Sequence, residues 1–123
     1  MERAKRTSVK HILVVDDEEA VRYVFERYLG MAGFRVSTAA GGAEALARYD
    51  ADRADFVITD FRMPGMNGAE LLQRLRDLDA QLPVMMISAN PVDVGPMLET
   101  VPFFQKPVML DRVVSHLREV LGA

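Results

Sequence analysis

Apolar residues along the chain gather into five short runs separated by stretches of helical periodicity. The runs are HILVV (11–15), FRVSTA (34–39), DFVIT (55–59), PVMMIS (83–88) and FFQ (103–105). The first, third and fourth are continuous rather than alternating, which predicts strands covered on both faces of a parallel sheet. Between them, Val21, Val24, Tyr28 and Ala32, with Phe25 and Leu29, form one helical stripe closed by Gly33. Ala45, Leu46 and Tyr49 form a second, and Leu71, Leu72, Leu75 and Leu78 a third. Leu110, Val113, Val114, Leu117, Val120 and Leu121 form the last, stopped by Gly122. Strands alternating with helices predict an α/β fold, a parallel sheet with helices on both faces and right-handed connections.

One region breaks the rhythm. Five of the six prolines (Pro83, Pro91, Pro96, Pro102 and Pro107) fall in the last third of the chain. Pro91, Gly95 and Pro96 resist a continuous helix, and Pro102 ends any that forms. A helix between the fourth and fifth strands is therefore predicted to be truncated or irregular, with one or two turns around Met97, Leu98 and Glu99.

Composition narrows the function classes. The chain has 123 residues, half of them apolar, enough for one domain with a real core. Its net charge of -3 gives no basic excess of the kind nucleic-acid binding needs. It has no cysteine, which excludes disulfides, thiolate chemistry and cysteine-ligated metals and is compatible with the reducing, cytoplasmic compartment expected here. No apolar run approaches transmembrane length, so no membrane partner is expected. Residues 1–9 read as a loosely ordered tail, since the basic start lacks a signal peptide's apolar core and cleavage site, and residues 10–123 read as the domain.

In parallel α/β sheets the functional site lies beyond the carboxyl ends of the strands. The first strand here runs into Asp16, Asp17, Glu18 and Glu19, and the third into Asp60, followed by the turn residues of Met63-Pro64-Gly65-Met66-Asn67-Gly68. Alone, each has an ordinary explanation, because acids favour helix N-termini and loops. In the flavodoxin-like strand order 2-1-3-4-5, however, the first and third strands are neighbours, and Asp16, Asp17 and Asp60 converge. Carboxylates so placed repel unless a cation sits among them, and hard oxygen ligands suit Mg²⁺. Ser88 ends the fourth strand and Lys106 follows the fifth, adding a hydroxyl and an ammonium. A metal, a carboxylate nucleophile, a hydroxyl and a lysine around one point make a phosphoryl-transfer site, with Asp60 as acceptor.

These residues resemble the receiver domain of bacterial two-component response regulators, over about residues 10–121. The resemblance rests on Asp16-Asp17, Asp60 with Met63-Pro64 and Asn67-Gly68, Ser88-Ala89, and Lys106-Pro107. It implies a three-layer, chemotaxis-receiver-like sandwich with five helices. Asp60 would take a phosphoryl group from a sensor histidine kinase or phosphotransfer protein, or from a small phosphodonor. Asp17, Asp60 and the backbone carbonyl of Arg62 would bind Mg²⁺ directly, and Asp16 largely through metal-bound water. Ser88 and Lys106 would hold the phosphoryl oxygens, with a cis Lys106-Pro107 bond turning the lysine inward. Ser88 and Phe103 would form the switch. Independently of the resemblance, Arg62 is an ordinary loop residue by type, but its place two residues past the acceptor gives the hypothesis that its side chain shields the aspartyl phosphate from water.

The resemblance also implies no enzymatic activity beyond the domain's own phosphoryl transfer and dephosphorylation, and output through contact with a downstream protein. The proline-rich stretch falls on the face that reports phosphorylation, which puts the family's usual homodimer in doubt. Val108 stands where many receivers have Phe, and Met109 gives the last helix no side-chain cap. The expectation is a stand-alone receiver or one excised from a larger protein. The alternative is a pseudo-receiver, an interaction module that uses the fold without phosphorylation. His11 and His116, without further histidine or cysteine partners, are not expected to bind metal, and His116 is expected on a polar or flanking helix face.

Overall fold

A computed structural model describes residues 9–90 and 101–122. Its elements run β1 (His11–Val15), α1 (Glu19–Met31), β2 (Arg35–Ala39), α2 (Gly42–Ala51), β3 (Phe56–Asp60), α3 (Gly68–Leu78), β4 (Val84–Ser88), β5 (Phe103–Gln105) and α4 (Leu110–Leu121). The strands form one sheet in the order β2-β1-β3-β4-β5, and every pairing is parallel. This is the flavodoxin-like order expected from the sequence. Residues 1–8 of the expected tail at 1–9, and the shortened helix expected between the fourth and fifth strands, lie outside the described residues.

The sheet divides the core into two layers because successive side chains point to opposite faces. On one face Leu13, Val15 and Val57 meet Ala45 and Tyr49 of α2 and Leu71 and Leu75 of α3. On the other, Ile12, Val14, Ile58, Met85 and Ile87 meet Phe25 and Leu29 of α1 and Val113 and Leu117 of α4. Strands β1, β3 and β4 are buried along their whole length, which explains why their sequences do not alternate.

Only the narrow i, i+4 seam of α1 reaches the sheet. Phe25 and Leu29 are buried, whereas Val24 and Tyr28, assigned to the same stripe by periodicity, are 48% and 41% exposed. The helix closes as a Schellman motif: Gly33 at φ +102° bonds back to Gly30, and Phe34 N–H donates to Leu29 O at 3.1 Å. Phe34 and Leu29 then share one cluster, so the turn delivers β2 to the sheet edge.

His116 differs from its expected place on a polar face. Its ring stands edge-on to Phe56 and Phe104, with centroids 6.0 Å away in both cases, and Nε2 is buried without a hydrogen bond among the described residues. The aromatic packing outweighs the ring's polarity here. His11 is buried at the opposite end of β1, its Nε2 2.8 Å from Ser37 Oγ and Nδ1 3.0 Å from the Arg53 carbonyl. Met85 and Met86 are fully buried, as expected of core residues.

Candidate functional site

The site forms where β1, β3, β4 and β5 end together. Parallel register puts Val15 beside Thr59, Asp60 beside Ile87, and Ser88 beside Gln105. The residues immediately following are therefore level with one another across the sheet.

Asp16 continues β1 and is fully buried. Its Oδ1 accepts the Glu18 N–H at 2.9 Å, which starts α1, and Arg22 Nη1 donates to its carbonyl at 2.8 Å. Its Oδ2 forms an ion pair with Lys106 Nζ at 3.0 Å. That oxygen is ion-paired but receives no hydrogen bond among the described residues, a state that favours a further ligand. Asp17 is exposed, and Asp60 is 5% exposed. One carboxylate oxygen from each of Asp16, Asp17 and Asp60 lies within 4.8 Å of the others. Three converging carboxylate oxygens, with Asp16 buried and one of its two oxygens short of a hydrogen bond among the described residues, fit a hard divalent cation.

Asp60 is held in place by its neighbours. Phe61 N–H donates to Ile87 O at 2.9 Å, and Gly68 N–H closes the loop onto Phe61 O at 2.8 Å. A Cβ at Gly68 would stand 2.7 Å from the Asp60 carbonyl oxygen and 3.0 Å from Phe61 Cα, so only glycine lets α3 start this close. Asn67 and Glu70 lock that start with a reciprocal capping box, each bond 2.9 Å long.

Lys106 crosses the cleft. Its N–H donates to Ser88 O at 2.9 Å, and the Lys106-Pro107 bond is cis, as expected. Nζ lies 3.1 Å from Asp60 Oδ2, 3.0 Å from Asp16 Oδ2 and 3.4 Å from Glu18 Oε1. Burial pushes the Asp60 carboxyl up to about 6 and Asp16 adds to the rise, Lys106 opposes it, and Asp17 adds a smaller push. Burial works to lower the Lys106 pKa, but the contacts with Asp16 and Asp60 outweigh it and hold the ammonium above its ordinary value. The lysine is therefore a fixed positive charge at neutral pH.

On its outer side Asp60 faces a cavity of about 330 Å³ lined also by Arg62, Ser88, Ala89, Asn90 and Lys106. Ser88 is buried, and its hydroxyl lies 3.2 Å from both the N–H and the carbonyl of Asn90. The sequence-derived site residues Asp16, Asp17, Asp60, Arg62, Ser88 and Lys106 thus come together around one cleft. Phe103 does not line it. It is half-buried one layer away, against the cluster of Met86 and Val101 with Phe61 and Leu72.

Three site features were not assigned from sequence. Glu18 reaches Lys106, Asn90 lines the cavity, and Gly68 carries the close approach to Asp60. A signal for Glu18 was present: four consecutive acids exceed what a helix N-terminus needs, and one of them was free for another role.

Comparison with known proteins gives a consistent picture. Residues 12–118 match the family model described as "Response regulator receiver domain". The chain is 36% identical over 111 residues to the C4-dicarboxylate transport transcriptional regulatory protein DctD of Rhizobium meliloti, covering 87% of this chain and 24% of that protein. It is 36% identical over 118 residues to the transcriptional regulatory protein PrrA of Mycobacterium leprae, covering 93% of this chain and 51% of that one. The chain thus spans about half the length, or less, of these curated relatives. Among solved structures, chemotaxis protein CheY4 of Vibrio cholerae superposes with a TM-score of 0.82 at 29% identity, covering 91% of this chain and 98% of that one.

Proposed function

The chain belongs to the response regulator receiver domains of two-component systems, and on that premise we propose that it accepts a phosphoryl group on Asp60 and signals through a protein-interaction surface. The observation that carries this reading is the convergence on one cavity of a nearly buried carboxylate, a buried hydroxyl and a lysine 3.1 Å from that carboxylate.

An Asp60 oxygen attacks phosphorus in line with the leaving group. The P–N bond of a phosphohistidine, or the P–O bond of acetyl phosphate, breaks, and the electron pair leaves with imidazole or acetate. Lys106 Nζ transfers its contact from Asp60 Oδ2 to a phosphoryl oxygen, and the Ser88 hydroxyl donates to another. Asp16, Asp17, Asp60 and the Arg62 carbonyl would hold Mg²⁺, which when bound neutralises the charge gathering on the phosphoryl oxygens. The Arg62 side chain, on the cavity wall, shields the product from water. The domain catalyses only its own phosphorylation and dephosphorylation.

The partners that follow are a sensor histidine kinase or phosphotransfer protein upstream and a protein target downstream. Ser88 and Phe103 serve as the switch: Ser88 moves onto the phosphoryl group and Phe103 turns inward, a shift between two pre-existing populations. Phe103 is suited to this by its half-buried position, and Met86, its partner in register, lies two residues before Ser88 on β4. No helix among the described residues is long and apolar enough to cross a membrane.

The test is to incubate the protein with acetyl phosphate and Mg²⁺ and to measure intact mass. Wild type gains one phosphoryl group and Asp60→Asn gains none. A wild type that stays unmodified across a range of donor and metal concentrations counts against this reading and favours the pseudo-receiver.

A further inference from the structure

Lys106 contacts three carboxylates, and they are not equivalent. Asp16 and Asp60 have side chains 0% and 8% exposed, whereas the Glu18 side chain is 63% exposed. Glu18 does not line the cavity at Asp60 but reaches Lys106, which does, from the solvent side. Its backbone is fixed from both sides. The N–H donates to Asp16 Oδ1, and the carbonyl accepts from Val21 and Arg22 at 3.1 Å. Its side chain makes no capping hydrogen bond to α1, so a neutral isostere loses there only the modest attraction of a charge to the helix N-terminus. What it adds is a fourth negative charge, 3.4 Å from the lysine that must receive the phosphoryl group.

We propose that Glu18 is a specificity-determining charge that disfavours anionic small-molecule phosphodonors and favours entry of the divalent cation. The proposal rests on the assignment of Asp60 as acceptor and names what selects the donor. A phosphoryl oxygen bonded to Lys106 Nζ sits about 2.9 Å from it, which places donor charge roughly 6–7 Å from the Glu18 carboxylate. At that range in a water-filled mouth, each donor charge costs about a twofold to threefold loss in encounter. The penalty grows with donor charge and falls with salt. A phosphohistidine delivered by a protein brings its own docking contacts and is selected against far less than a free anion.

The experiment compares wild type with Glu18→Gln at saturating Mg²⁺. The donors are acetyl phosphate, a dianion at neutral pH, and phosphoramidate, which carries one negative charge less. At about 20 mM ionic strength the variant takes phosphoryl from acetyl phosphate about fourfold faster, and from phosphoramidate about twofold faster. At about 0.5 M salt both gains shrink to less than about twofold, because the Debye length there is shorter than the separation. A second readout needs no donor: followed by amide chemical shifts, Mg²⁺ binds Glu18→Gln more weakly than wild type at low salt, because the variant has lost one neighbouring negative charge.

Equal rates for the two proteins, or a gain that ignores donor charge and salt, overturns the proposal. Unchanged Mg²⁺ affinity overturns it as well. If neither protein gains phosphoryl from either donor, the assignment of Asp60 fails, and the Mg²⁺ titration alone decides the role of Glu18.

Discussion

Replacing Asp60 with asparagine is expected to stabilise the metal-free protein at neutral pH, because the folded state holds this carboxyl under duress. Burial and Asp16 raise its pKa from 3.8 to about 6 against the opposition of Lys106. The folded chain therefore keeps the proton up to about pH 6, while the unfolded chain releases it near the ordinary carboxylate value. Stability from this group is complete below the unfolded pKa and is lost as pH rises through the folded one. A shift of roughly two units corresponds to about 3 kcal/mol at most. The cleft opens onto a surface cavity, and screening there reduces the figure to about 1–2 kcal/mol.

Asparagine has the same shape and no charge to lose. Its carbonyl oxygen stays with Lys106 Nζ, and its amide faces the remaining aspartates. In EDTA at pH 7.5 the variant should melt about 3–8 °C higher than wild type. Circular dichroism melts of both proteins from pH 4.5 to 8 give the assay. Wild type should lose stability between about pH 4 and 6, a limb the variant lacks, and Mg²⁺ should close the gap by stabilising wild type alone. Coincident melting curves across that range, or a less stable variant at pH 7.5, would refute the electrostatic account of the cleft.

Other perturbations probe different parts of the site. Lys106→Met removes the cation between the carboxylates and should slow phosphorylation by acetyl phosphate about a hundredfold, measured by intact mass over time. Gly68→Ala forces a Cβ against the Asp60 carbonyl and Phe61 Cα, so urea denaturation should show a loss of about 1–3 kcal/mol together with slower phosphorylation. Asn67→Ala removes the capping box of α3 and should cost about 1 kcal/mol in the same assay, with Mg²⁺ affinity unchanged.

The fold was legible because burial on both sides leaves a plain mark. HILVV and PVMMIS could not alternate if helices cover both faces of β1 and β4, and the structure buries every residue of both strands. The ends of those strands were legible too, since Asp16, Asp60, Ser88 and Lys106 break apolar runs where side chains leave the core. What failed was the width of helix faces. Periodicity groups Val24 and Tyr28 with Phe25 and Leu29, but only contact with the sheet decides which of them is covered. His116 failed for a related reason, because an imidazole ring packs edge-on between Phe56 and Phe104 as an aromatic. Glu18 was hidden by an adequate local explanation, an acid beside a helix N-terminus, which satisfied the sequence before its reach to Lys106 was visible.

The cleft works against stability, and its wiring gives that tension a direction. Asp16 keeps a buried oxygen without a hydrogen bond among the described residues, Asp60 is pushed toward protonation, and Lys106 serves as counterion to both. On the proposed reading, the same ammonium must later hold the phosphoryl group, and it cannot keep every contact it has now. Its bond to Glu18 is the longest and most exposed, so it breaks first; the buried pair with Asp16 breaks last. The backbone of Lys106 is tied to Ser88, and β5 is paired in register with β4 from Phe103 through Gln105. A change in what Lys106 and Ser88 grip is thus felt along a strand of three residues that begins at Phe103. So short a strand has little hydrogen bonding to resist displacement, whereas β1, β3 and β4 are locked between two core layers. On the proposed reading, a change in what Lys106 grips therefore has its most direct route to Phe103 through β5, the sheet edge that carries the proposed switch.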